Sequence, residues 1–154
     1  MQEPDFKSRV RLEIYRQFME KESCPGKSDI AHALCASQEE ITRAYTELAG
    51  AHMLVLQPET GEVLMANPLS AVPTPFLVET QHPEGSKSWY GNCIWDALGV
   101  ISMLQTNGRV HTSCGCCGEK MQVQVKNKTP VAEPDGIVHF AIPARHWWDD
   151  IVFN

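Results

Sequence analysis

A chain of 154 residues with 43% apolar content has the length of one domain or two small lobes sharing a core, and its composition excludes general disorder. The formal charge of −6 argues against a general binder of nucleic acid or anionic membranes. No apolar run approaches the ~20 residues that span a bilayer, and the N-terminal Met1-Gln-Glu-Pro-Asp-Phe-Lys7 lacks the basic and apolar regions of a signal peptide. The expected compartment is the reducing cytosol, where six cysteines suggest metal binding or catalysis more than disulfides.

Residues 6 to 22 read as a helix, with Val10, Ile14 and Phe18 along one stripe. Cys24-Pro25-Gly26 ends it, and Ser28 or Asp29 is placed to cap a short second helix carrying Ile30, Ala33 and Leu34. Ser37-Gln-Glu-Glu40 has the capping-box pattern and opens a third helix with Ile41, Ala44, Tyr45 and Leu48 on one face. Met53–Leu56 and Val63–Met65 flank a Gly61-containing turn and read as a hairpin. Three helices and a hairpin suggest a winged-helix-like lobe over 1–66. DNA binding is disfavoured, because the predicted third helix, 38–49, sets Arg43 alone against Glu39, Glu40 and Glu47.

A Pro-rich connector, 67–75, then leads to a second lobe, 76–154, expected to be a small mixed sheet with one helix. The expected class is therefore α+β. Phe76–Thr80, Arg109–Ser113, Met121–Val125 and Gly136–Ile142 read as strands, and Gln81–Lys87 as a polar turn. Ser88–Leu104 reads as the start of an apolar helix, punctuated by Gly91 and Asn92. Within it, Cys93 and Asp96 are three apart and share a helical face. A first-turn Cys93 is expected to be favoured as thiolate by the helix dipole. Asp96, among Trp95, Leu98 and Val100, reads equally as a carboxyl with raised pKa or as a carboxylate complementing the dipole.

A second thiol cluster, Cys114-Gly-Cys116-Cys117-Gly118, falls in the turn between two predicted strands. Cys24 and Cys35 read as structural. Cys114 and Cys117 make a Cys-x2-Cys pair, and with Cys93 and either His111 or His139 they would compose a structural zinc site. The competing reading is a soft-metal site built on Cys93, Cys114, Cys116 and Cys117, since thiolates select thiophilic ions.

The order of these features resembles the organomercurial (alkylmercury) lyase family. The resemblance rests on the helical lobe and hairpin, the Pro-Leu-Ser-Ala-Val-Pro-Thr-Pro connector at 68–75, the Cys-x-x-Asp helix at 93–96, Ser113-Cys114 with its Gly-containing turn, and Trp147-Trp-Asp-Asp-Ile-Val-Phe153. It implies protonolysis of a carbon–mercury bond. Cys93 would bind mercury as thiolate, Asp96 would carry the proton to the leaving carbon, and Cys114 would be structural. No organic cofactor is implied; Hg(II) is substrate and product metal, with zinc the alternative ion. The family's second metal-binding cysteine follows the segment resembling 147–153, whereas this sequence stops at Asn154. The resemblance thus implies a shortened form with altered activity, or Cys116 or Cys117 as the second thiolate, or a metal-binding relative without lyase chemistry. A thiolate metal binder or metal-responsive regulator and a structural zinc protein are the alternatives to the enzyme. The final Asp150–Asn154 resembles an unfinished strand whose edge a second copy would cover.

Overall fold

The computed structural model describes residues 4–82 and 85–152. Helix α1 spans Phe6–Lys21, and the Asp5 carboxylate caps it by accepting the Ser8 N–H at 2.9 Å. The Val10–Ile14–Phe18 stripe is buried as its spacing requires. Helix α2, Lys27–Leu34, begins after Gly26 rather than at Ser28 or Asp29. Asp29 lies inside the first turn and accepts the Gly26 N–H at 3.0 Å. Helix α3, Gln38–Gly50, carries the expected reciprocal cap: the Glu40 N–H donates to Ser37 Oγ and the Ser37 N–H donates to the Glu40 carboxylate. Its Ile41, Ala44, Tyr45 and Leu48 face inward.

Among the described residues eight strands follow: β1 Val55–Leu56, β2 Val63–Ala66, β3 Leu69–Ser70, β4 Leu77–His82, β5 Gly85–Gly91, β6 Gly108–Ser113, β7 Lys120–Lys126 and β8 Thr129–Glu133. Helix α4, Ile94–Met103, stands between β5 and β6, and a 3-10 helix covers Ala144–Asp149. The strands form one sheet in the order β1-β2-β3-β5-β4-β6-β7-β8, and every pairing is antiparallel. The expected mixed sheet is thus antiparallel throughout. It is also continuous with the hairpin that follows the three helices, because the connector supplies β3, which pairs with β2 on one side and β5 on the other.

Three further segments depart from expectation. Residues 88–91 are strand, not helix: Val78 pairs with Trp89, and the buried Trp89 indole N–H donates to the Phe18 carbonyl at 3.1 Å. Aromatic side chains suit a half-buried strand, and helix starts only past Gly91-Asn92. The predicted polar turn 81–87 shrinks accordingly, with Pro83 and Glu84 outside the described residues. The predicted strand Gly136–Ile142 is irregular, and its Ile137 is 94% exposed. The edge of β7 is instead occupied by β8 through the tight turn Asn127-Lys128, both residues at positive φ, the geometry that matches strand twist in two-residue hairpins. Finally, Ala144–Asp149 is helical, and Phe153 and Asn154 of the expected last strand lie outside the described residues.

Two apolar clusters result. One joins α1, α2 and α3 to β1 and β2; the other packs α4 through Ala97, Val100 and Ile101 onto Val78, Trp89, Val110 and Phe18. Tyr15 touches both and donates its hydroxyl to the Asn67 carbonyl at 2.7 Å. Among the described residues, no helix is long and apolar enough to cross a membrane.

Candidate active site

Cys93 is the N-cap of α4, one position earlier than a first-turn residue. Its backbone is extended (φ −143°, ψ 179°), and its Sγ accepts the Asp96 N–H at 3.5 Å, the place usually taken by a Ser, Thr, Asn or Asp oxygen. The loop before it is held from three sides. The Gly91 N–H donates to the Phe76 carbonyl at 3.0 Å, the Thr74 hydroxyl donates to the Gly91 carbonyl at 2.6 Å, and the Asn92 N–H donates to the Pro68 carbonyl at 3.3 Å. The Asn92 side-chain amide also donates to Asn67 Oδ1 at 2.9 Å. The Pro-rich connector therefore shapes the loop that presents Cys93. Gly91 is needed there for space: a Cβ on it would lie 2.7 Å from the Ala97 nitrogen.

Burial governs the electrostatics of the pair. It pushes the Cys93 thiol up, and the Asp96 amide only partly offsets this, so loss of water works against the expected dipole-favoured thiolate. Burial also raises the Asp96 carboxyl, against hydrogen bonds from the Asn92 and Cys93 side chains. Of the two readings of Asp96, the raised carboxyl is the one its surroundings favour. Asn92 was legible only as punctuation before the helix, yet its side chain joins the Asp96 carboxyl to the connector.

A carboxyl raised on folding leaves stability intact below its unfolded value and lowers it as pH rises through the folded value. Asp96→Asn removes that titration. Its Tm advantage over wild type should therefore be absent below pH ~3.9, the ordinary Asp value, and grow as pH rises through the shifted one. Melting curves across this range test it; an advantage that does not change with pH would contradict the assignment.

The remaining thiols lie elsewhere. Cys114 follows β6 and is partly buried, while Cys116 and Cys117 are exposed in the β6–β7 turn. The amides of Cys117 and Cys116, and the Cys117 side chain, draw the Cys114 thiol below its usual range. Cys24 is packed among both clusters, and burial pushes its thiol up to about 12, consistent with a structural role. Cys35 is exposed at the left-handed C-cap of α2. His111 is paired with Glu79 at 2.8 Å, and His139 is exposed in the irregular segment. Among the described residues no three His, Cys, Asp or Glu side chains gather as a metal ion would require. Cys93 and Asp96 with any turn thiol would make such a group. The expected four-cysteine set, and the zinc set completed by a histidine, are therefore not assembled here.

The alkylmercury lyase family profile matches residues 69–153, more than half of the chain and the whole span containing the Cys93–Asp96 pair. The chain belongs to the alkylmercury lyase family. No curated protein matches it. Its fold is similar to that of the crystal structure of the mercury-bound form of MerB2, with a TM-score of 0.65 at 18% identity, covering 86% of this chain and 62% of that one. The chain thus spans less than two thirds of that protein's length. The structural likeness reaches beyond the profile-matched span.

Proposed function

We propose that this alkylmercury lyase family member cleaves a carbon–mercury bond by protonolysis, with Cys93 as the mercury-binding thiol and Asp96 as the proton carrier. The observation that carries the reading is the contact between a half-buried thiol and a carboxyl whose surroundings both favour the protonated form. An organomercurial cation attaches to Cys93 Sγ as the thiol proton leaves, forming one sulfur–mercury bond. The Asp96 carboxyl then delivers its proton to the mercury-bound carbon. The carbon keeps the electron pair of the broken carbon–mercury bond, hydrocarbon departs, Asp96 becomes carboxylate, and Hg(II) stays on Cys93. Thiolate donation through the metal makes the carbon more basic, so the transfer is an electrophilic substitution.

A carboxyl tuned upward by burial is matched to this task, because a general acid works best with a pKa near the operating pH. Wild-type protein incubated with a phenylmercury salt should release benzene and retain Hg(II). Uptake of mercury with no benzene released would refute the lyase reading and leave a thiolate metal binder.

A further inference from the structure

We infer that the β6–β7 turn is a separate site for a soft cation, in which Cys114 and Cys117 hold one two-coordinate thiophilic ion independently of Cys93. The turn is closed by the Gly118 N–H donating to the Cys114 carbonyl at 2.9 Å and by the Cys114 N–H donating to the Glu119 carbonyl at 2.8 Å. This closure brings the two ends of a Cys-x2-Cys segment together, and the Cys117 side chain reaches the Cys114 side chain. Gly118 sits at φ +74°, a conformation that lets the chain leave the second cysteine sharply. Gly115 has open space around it, so nothing crowds the loop on that side. Cys117 is exposed, and a hydrated ion reaches it without movement of the fold.

The donor set selects the ion. Thiolates favour soft cations, while structural zinc takes four ligands and no third donor is gathered with these two among the described residues. An ion content with two ligands fits instead, with Hg(II) the natural probe. Binding breaks two S–H bonds, forms two sulfur–metal bonds and releases two protons, leaving a neutral bis-thiolate complex. Nothing is oxidised or reduced.

The test uses the full chain carrying Cys35→Ser, Cys93→Ser and Cys116→Ser, titrated anaerobically with Hg(II) and followed by sulfur-to-mercury charge-transfer absorbance. With Cys93 gone, the readout is independent of lyase chemistry. One equivalent should bind. Adding Cys117→Ser, at an exposed turn position, should weaken binding by more than the roughly 10–100-fold that loss of an outer-sphere partner costs, because a direct ligand is lost. Adding Cys114→Ser instead should do the same, with circular dichroism verifying the fold of each variant. A folded triple variant that takes up no ion, or a Cys117→Ser variant that binds with unchanged affinity, overturns the site.

Discussion

Cys93→Ser should abolish hydrocarbon release from an organomercurial, and Asp96→Ala should slow it by roughly 10²–10⁴-fold, the usual contribution of a positioned proton donor. The two variants should differ in what survives. A hydroxyl in place of Sγ still caps α4 but no longer offers a soft donor, so the substrate is not captured at all. Loss of the Asp96 carboxyl leaves the thiol in place and removes a group that raises its pKa, so mercury uptake at Cys93 persists or improves while the bond to carbon endures. Single-turnover release of benzene, set beside mercury uptake in a background lacking Cys114, Cys116 and Cys117, separates the two steps. If Asp96→Ala reduced uptake and release in equal proportion, the carboxyl would be a support for the thiol and not the acid. The wild-type rate of proton delivery should fall as pH rises through the raised pKa of Asp96, since only the protonated carboxyl can act.

Gly91→Ala should be as damaging as a change within the pair, although it touches neither side chain. The new Cβ would meet the nitrogen, Cα and Cβ of Ala97 at 2.7, 2.8 and 2.9 Å, and most of these atoms are backbone that cannot rotate away. Overpacking of this kind costs typically about 1–3 kcal/mol, and its relief here means lifting the first turn of α4 from the end of β5. Cys93 and Asp96 ride on that turn, so a lower Tm should accompany a large loss of turnover. Gly99→Ala in the same helix is the control. Its nearest contact would be the Pro68 Cβ at 3.9 Å, and Ala is favoured over Gly within a helix by about 1 kcal/mol, so stability should hold or rise. Equal Tm values for the Gly91→Ala protein and wild type would show that α4 is not seated by this contact.

What the residues revealed before the fold was known follows the range of each interaction. The stripes of α1 and α3 and the Ser37–Glu40 cap are written within a turn or two of helix, and they appear where expected. The Cys93–Asp96 pair is likewise local, and so is the hairpin that carries the second thiol cluster. The ionisation of Cys93 was not legible, because it depends on burial that the sheet and connector create together. Strands β3 and β5 were hidden for a related reason: Leu69-Ser70 and Ser88–Gly91 become strand through partners far away in sequence. Strand β8 was masked by Pro130, which an edge strand tolerates but an isolated reading discounts. Asn67, Thr74 and Asn92 carry no motif at all, and their role as clamps emerges only from the hydrogen bonds they make.

Leu77 of β4 pairs with Tyr90 of β5 on one side and with His111 of β6 on the other. Both neighbours run antiparallel to β4 and leave the sheet at the same end, and the proposed thiols, Cys93 and Cys114, each come three residues later. The pairing partners of Leu77 stand two strand spacings apart, roughly 10 Å. Cys93 and Cys114 thus follow strands that flank β4 and leave the sheet on the same rim. If each holds a soft ion as proposed, an ion escaping one site is far more concentrated around the other than in bulk solution, so recapture competes with loss. The expected result is that mercury resides longer on the wild-type protein than on variants that keep either proposed thiol site alone.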